Sequence, residues 1–262
     1  MLKTENLDRV TFIKWNHGFN NLFRAELSRW FERRVFFIRL LLWCGISNGM
    51  AILIWLQAPN AGSEPILVFS IFAGLASSIG ITIIMQESIV GEIKSGAASW
   101  ILSKPISRKS YILTKWTGNS IGATISMILA PTFIFYVLYF LFIGEILNLE
   151  MFFVVSAVLT LNMLFFLSFT LMMGSFQRKS SLVIGVPIGF YLLQQMLVNF
   201  SSFLVDIAPW GLTNPLNNGT PSIVVSFILG LQPFSILPII ATSMYVIMFL
   251  ILTIKIMQKQ DI

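Results

Sequence analysis

Six apolar runs follow one another along the 262-residue chain and leave only short polar stretches between them. A helix needs about 20 mostly apolar residues to cross the hydrocarbon core of a membrane. Charged residues make up 11% of the chain, against about 25% in a typical soluble domain. The sequence therefore predicts a single-domain, all-α integral membrane protein with six transmembrane helices. The predicted spans are 35–56, 65–85, 116–143, 151–174, 181–203 and 234–254.

An amphipathic segment precedes the first predicted span. Apolar and aromatic residues from Phe19 to Phe31 recur at helical spacing, and arginines and glutamates fill the other positions. A basic amphipathic helix with aromatic residues on its apolar face is typical of the membrane interface. We therefore expect an interfacial helix at 18–34. The alternative is a cytosolic helix that packs on a partner protein.

The stretch between the fifth and sixth predicted spans is long and rich in proline. It covers 204–232 and contains an apolar piece, 223–231, that is too short to cross a membrane. We interpret the stretch as an outer loop that holds a short re-entrant or interfacial helix.

The positions of the charges give an orientation. Apart from Arg39 at the edge of span 1, the 17 Lys and Arg residues fall at the N-terminus and first helix, between spans 2 and 3, between spans 4 and 5, or at the C-terminus. Because positive residues favour the cytoplasmic side, both termini are predicted to be cytoplasmic. The same bias accounts for the net charge of +6. We therefore expect anionic membrane lipid as a partner of the basic residues, and no nucleic acid. The charged residues of the opposite loops are all acidic, namely Glu64, Glu145, Glu150 and Asp206.

The polar stretch from Glu87 to Lys115 also shows helical periodicity. Its apolar residues Ile89, Ile93, Ala97, Trp100 and Ile101 are spaced to share one face of a helix. Pro105 should stop this helix, since proline lacks the N–H and clashes with the preceding turn. The pattern predicts a cytoplasmic helix at 87–104, held between two spans, to which another protein can bind.

The sequence lacks the residues that common enzyme chemistries need. Gly91 and Gly96 have the glycine spacing of a phosphate-binding loop, but Ala97 and Ala98 follow where lysine and a hydroxyl residue are required. The only histidine, His17, and the only cysteine, Cys44, are isolated, which argues against a metal site and excludes a disulfide within the chain. We therefore expect no catalytic residue, no metal ligand and no enzymatic activity in this chain.

The Glu87 stretch resembles the loop between spans 2 and 3 of ABC-2 type transporter permeases. In that family the loop has an acidic residue, a Ser/Thr-Gly step, a hydrophobic helix, a Pro-hydrophobic-Ser-Arg sequence and a downstream lysine. The order of the interfacial helix, the six spans and the re-entrant piece is also similar. The matching residues are Glu92, Ser95-Gly96, Trp100-Ile101-Leu102-Ser103, Pro105-Ile106-Ser107-Arg108 and Lys115.

This resemblance implies a multi-pass permease of a prokaryotic plasma membrane that pairs with a second copy of itself or with a paralogue. It implies two ABC ATPase subunits on the cytoplasmic side, which would hold the ATP and Mg, with no cofactor in this chain. The helix at 87–104 would be a coupling helix that contacts the ATPase. The candidate coupling residues are Glu92, Ser95, Gly96, Trp100, Ser103, Lys104, Pro105 and Arg108.

Polar residues within the predicted spans are candidates for a substrate path. Such side chains either line a cavity or make hydrogen bonds between helices, and the sequence leaves both interpretations open. Since no charge is predicted inside the spans except Arg39 at an edge, a channel or ion-coupled carrier is disfavoured. A peptide, lipid-like compound or drug is the favoured cargo, with a sodium exporter or a non-transporting anchor as alternatives. The candidate path residues are Asn48, Asn162, Gln194, Gln195 and Asn199.

Overall fold

The computed structural model describes residues 18–197, 207–216, 220–231 and 235–259, and this part of the chain is helical without a strand. We number the helices α1 to α10 in chain order. They are α1 (Phe19–Trp30), α2 (Arg33–Gln57), α3 (Ser63–Lys94), α4 (Ala97–Leu102), α5 (Arg108–Ile143), α6 (Leu149–Phe176), α7 (Ser180–Leu197), α8 (Trp210–Thr213), α9 (Ile223–Leu229) and α10 (Leu237–Lys259).

Five of these helices, α2, α3, α5, α6 and α10, are long and apolar enough to cross a membrane. They confirm a multi-pass helical architecture. Helix α7 begins where the fifth span was predicted and is also apolar, but the rest of that span, 198–203, lies outside the described residues. The count of six spans therefore stays a prediction.

Two helices extend further than the sequence predicted. Helix α3 continues to Lys94, and helix α5 begins at Arg108 rather than at 116. The early start of α5 has a local cause, because the Ser107 side chain accepts a hydrogen bond from the Ser110 N–H at 3.0 Å and so caps the helix. As a result Lys115, which was assigned to a loop, lies two turns inside a helix.

The prediction of one continuous helix at 87–104 is wrong. The segment contains a π turn at Glu87–Gly91, the end of α3, a break, and then the six-residue helix α4. The break lies at Gly96, whose φ of 77° is in the left-handed region that glycine adopts readily. Ile89 and Trp100 consequently do not share one helix face: Ile89 is fully buried and Trp100 is exposed.

Helix α6 lies at the centre of the bundle and packs against α3, α7, α9 and α10. Its contact with α3 is partly polar, since Asn162 Nδ2 donates to Ser78 Oγ at 3.0 Å. The predicted short apolar helix within 223–231 is present as α9, which is buried against α3 and α6. By contrast, α2 and α10 leave many large apolar side chains exposed, as is usual for helices that face lipid or another subunit.

Candidate functional site

Helix α1 lies directly against the first half of α5, at the end of the bundle where α3 also ends. Two glycines of α5 allow this close approach. A Cβ atom at Gly118 would lie 2.7 Å from the Cβ of Glu26, and one at Gly122 would lie 2.2 Å from the Trp30 ring. Small residues four positions apart let helix backbones approach closely, so this pair fixes where α1 can dock.

Four charged side chains meet where α1, α3 and α5 come together. We call Glu26, Arg29, Glu92 and Lys115 the ion cluster. Lys115 Nζ pairs with Glu26 Oε1 at 2.5 Å and also with Glu92 Oε1. Arg29 Nη1 lies 2.9 Å from Glu92 Oε1 and 3.4 Å from Glu26 Oε1. The cluster thus contains two carboxylates and two cations, and it connects three helices.

Burial makes the ion cluster important for stability. Lys115 is only 2% exposed, and Glu26 and Glu92 are buried as well. A buried charge is strongly unfavourable unless it is paired. Removal of one partner from a buried pair typically costs about 3–5 kcal/mol of stability. Each member of the cluster therefore constrains the positions of the others.

Hydrogen bonds from neighbouring side chains complete the ion cluster. The Tyr111 hydroxyl donates to Glu92 Oε2 at 2.9 Å. Burial disfavours the charged form of Arg29, but its hydrogen bond to Glu92 and the nearby carboxylates outweigh this and raise the pKa of Arg29. One helical turn further along, Trp30 Nε1 donates to Asn119 Oδ1 at 3.0 Å. The polar contact between α1 and α5 therefore continues over two turns.

The segment between α3 and α5, residues 95–107, is called the connection below. Its surface is formed mainly by exposed residues, and Trp100 is the largest of them at 65% exposure. Lys104 Nζ lies 4.4 Å from the centre of the Trp100 ring, within the range of a cation–π contact. Ser103 Oγ donates to the Trp100 carbonyl at 2.8 Å. The connection thus presents an ordered aromatic and basic surface.

Arg108 ties the start of α5 to the end of α10. Its Nη1 donates to the carbonyls of Met257 and Gln258, each at 3.1 Å. The last carbonyls of a helix have no partner within the helix and carry partial negative charge. Arg108 therefore caps α10, and the connection is fastened at its base to a second helix.

The family model of the ABC-2 family transporter proteins matches residues 48–243. This chain belongs to that family. The match includes the end of α3, the connection and the start of α5, whereas α1 lies outside it. A comparison with curated proteins finds no significant match. Proteins of the ABC-2 family generally work with an ABC ATPase.

The eight candidate coupling residues of this ABC-2 protein lie in different environments, and one of them, Arg108, caps α10 as described above. Ser95, Gly96, Trp100, Ser103, Lys104 and Pro105 are exposed on the connection. Glu92 is different, because it is 8% exposed and its carboxylate oxygens are bonded to Arg29, Lys115 and Tyr111. The expectation that Glu92 contacts an ATPase directly does not fit this arrangement. Its place is in the ion cluster, behind the surface.

Sequence reasoning missed most of the ion cluster in this ABC-2 protein. Lys115 was interpreted as an orientation charge of a loop, and Glu26 and Arg29 as polar-face residues of an interfacial helix. A signal was present in the spacing of the α5 residues, which place one lysine among small and hydrogen-bonding residues on a single helix face. These residues are Tyr111, Lys115, Gly118, Asn119 and Gly122.

Three of the candidate path residues make hydrogen bonds between segments of this ABC-2 protein. Asn48 Nδ2 donates to the Pro131 carbonyl at 3.2 Å, so it joins α2 to α5. Asn162 joins α6 to α3, as described above. Gln194 Oε1 accepts from the Trp210 N–H at 3.0 Å. Gln195 lies on the exposed side of α7, and Asn199 falls outside the described residues.

The described part of the chain contains no group of three or more His, Cys, Asp or Glu side chains that could hold a metal ion. Glu26 and Glu92 are only two carboxylates, and Lys115 lies between them. The ion cluster of this ABC-2 protein consists of ion pairs between helices of one chain, and its chemistry is suited to joining these helices.

Proposed function

We propose that this chain is the membrane-spanning permease subunit of an ABC exporter, and that a separate ATPase subunit supplies the energy. The observation that carries this proposal is the exposed connection backed by the buried ion cluster. Tryptophan side chains are among those that contribute most to binding at protein interfaces, and Trp100 is exposed next to a cation. Trp100 and Lys104 are therefore proposed to meet the ATPase.

The ion cluster suggests how movement would pass from the ATPase into the bundle. Glu92 lies three residues before the connection begins, on the last turn of α3, and it is bonded to both α1 and α5. A displacement of the connection would therefore move the ends of α1, α3 and α5 together. Binding of ATP by the partner would in this way shift the spans between inward-open and outward-open states.

We further propose an assembly with two ATPase subunits and a second permease, either another copy or a paralogue, in the plasma membrane. The proposed cargo is a peptide, a lipid-like compound or a drug. Among described residues, the buried carboxylate and ammonium groups lie in the ion cluster, and their charges are already paired. This supports an apolar or amphipathic cargo over a sodium ion.

Substitution of Trp100 tests the proposal. The full chain is purified from its native membrane with the ATPase that accompanies it, and the complex is reconstituted in liposomes. Because Trp100 is exposed, Trp100→Ala should fold normally. Loss of a central interface tryptophan typically costs about 2 kcal/mol or more, so ATPase binding should weaken by roughly thirtyfold. Nucleotide-driven transport should fall with it.

A matched control is available on α6. Phe153 is 63% exposed, close to the value for Trp100, but it lies far from the connection along the chain. Phe153→Ala should leave ATPase binding and hydrolysis unchanged. Wild-type behaviour of Trp100→Ala would contradict the proposed contact. Binding without any cargo-stimulated hydrolysis would instead identify the chain as a membrane anchor.

A further inference from the structure

A cleft of about 600 Å³ opens beside the ion cluster, between α1, α2 and the end of α3. This volume is within the usual range of about 300–1,000 Å³ for a small-molecule site. One wall is apolar and is formed by Ile83 and Ile84 near the end of α3, together with the Trp30 side chain. The remaining wall is polar and includes side chains of both signs.

Two charged residues that line the cleft are not paired within the described chain. Arg29, Glu26 and Glu92 also line it, but their charges are used in the ion cluster. Among the described residues, Arg39 has no carboxylate within ion-pair distance. Glu87 likewise has no cation within that distance. The cleft therefore offers one unpaired charge of each sign.

Arg39 is held in place by uncharged contacts. Its guanidinium carbon lies 4.8 Å from the centre of the Trp30 ring, and its Nη1 donates to the Arg29 carbonyl at 3.3 Å. Arg39 lies in the second turn of α2, about 9 Å from the helix start at 1.5 Å per residue. A cation at this depth is near the level of the lipid phosphates.

Glu87 is placed in the cleft by the π turn at Glu87–Gly91. Its Oε1 lies 2.6 Å from the position that a Cβ atom at Gly91 would occupy, so the carboxylate is folded over this glycine. In the same turn, Ser88 Oγ is buried and has no hydrogen-bond partner among the described residues. A π turn inside a longer helix frequently marks a functional site, and here it brings an acidic group and an unused hydroxyl to the same wall.

We propose that this cleft binds the headgroup of a phospholipid that carries both a phosphate and a primary ammonium group, of the phosphatidylethanolamine class. The phosphate lies against Arg39, the ammonium donates to Glu87, and the start of an acyl chain lies along Ile83 and Ile84. A headgroup with a phosphate alone leaves Glu87 next to a like charge. A choline headgroup has no N–H to donate, and the aromatic residue that lines the cleft, Trp30, already has its ring face covered by Arg39.

Lipid binding by the purified, delipidated full chain tests this inference. The chain in detergent is titrated with phosphatidylethanolamine, phosphatidylglycerol or phosphatidylcholine, and bound lipid is counted by native mass spectrometry. We expect wild-type protein to bind phosphatidylethanolamine about tenfold more tightly than either other lipid, as one charge-assisted hydrogen bond allows. Equal affinity for the three lipids, or a preference for phosphatidylglycerol, would overturn the proposal.

Variants separate the two charges. Glu87→Gln should remove the preference for phosphatidylethanolamine, and Arg39→Gln should weaken binding of all three lipids by about tenfold. Gly91→Ala should act like Glu87→Gln, because the new methyl group displaces the carboxylate. Glu87 is exposed, so Glu87→Gln tests the proposal even where Arg39→Gln does not fold. The controls are Glu64→Gln and Arg33→Gln, which lie outside the cleft and should bind as wild type.

A competition experiment distinguishes a membrane lipid from a soluble zwitterion with the same headgroup. Glycerophosphoethanolamine, which has no acyl chains, should not displace bound phosphatidylethanolamine at equal concentration, because the apolar wall contributes to binding. Displacement at equal concentration would show that the cleft takes a soluble compound. A preference that survives in Glu87→Gln would show that this carboxylate does not select the ligand.

Discussion

Lys115 is the residue on which the other charges of the ion cluster depend. It pairs with carboxylates from two different helices, and it is almost fully buried. Without it, Arg29 is the only cation among the described residues within ion-pair distance of the two buried carboxylates, and the Arg29 side chain is 61% exposed. Solvent screens an exposed cation, so Arg29 cannot replace the lysine.

We expect Lys115→Met to destabilise the protein by about 3–5 kcal/mol, since it leaves buried carboxylates without their partner. Thermal and denaturant unfolding in detergent measure this change. Lys109→Met is the matched control, because Lys109 lies on the same helix and is exposed. Unfolding of Lys115→Met at the same midpoint as Lys109→Met would contradict the assigned role.

At the scale of helices, the docking of α1 on α5 depends on backbone proximity as well as on charge. Gly122 lies under the Trp30 ring, and Gly118 lies under Glu26. These glycines let the ion pairs and the Trp30–Asn119 hydrogen bond form in the same interface. Helix α1 is therefore attached to the bundle by specific contacts in addition to any affinity of its apolar face for the membrane interface.

We expect Gly122→Ala to separate α1 from α5, because the added methyl group would overlap the indole ring. Overpacking of this kind costs about 1–3 kcal/mol. The unfolding midpoint should fall, and limited proteolysis should cut more rapidly next to α1. Gly49→Ala provides the comparison, since a Cβ at Gly49 meets nothing within 4 Å. Equal proteolysis of the two variants would argue against close docking.

For the whole molecule, the proposed orientation places the connection in the cytoplasm and the segment between α5 and α6 outside. Cysteine labelling in intact cells tests it in a Cys44→Ser background. Trp100→Cys should react only after the membrane is permeabilised. Ile146→Cys should react from outside, and Ile146 is well exposed at 84%. Each position serves as the control for the other, and the reverse pattern would require the opposite topology.

Much of the architecture could be predicted because apolar length and proline or glycine positions are local properties. The helices α2, α6 and α10 lie close to their predicted ranges, and α9 was expected as a short apolar helix. The α3–α5 region was predicted less well. Apolar periodicity suggested one helix at 87–104, but the backbone preference of a single glycine, Gly96, determines the break.

The ion cluster could not be predicted from the sequence, because its partners are distant in the chain. Lys115 is 23 residues from Glu92 and 89 residues from Glu26. Charges near the end of a span are usually solvated and set orientation, and Lys115 was interpreted in that way. Glu92 was predicted to be a coupling residue, and Glu26 was assigned to the polar face of an interfacial helix. The packing of α1, α3 and α5 against one another turns these three charges into buried pairs.

The separation between Glu26 and Lys115 also affects how the protein is made. Helix α1 leaves the ribosome 89 residues before its lysine partner, which corresponds to about 4–18 s at typical rates of synthesis. During this interval Arg29, one turn away, is the cation within reach of Glu26. The docking of α1 is therefore a late step of assembly, because Lys115 is made only after α2 and α3.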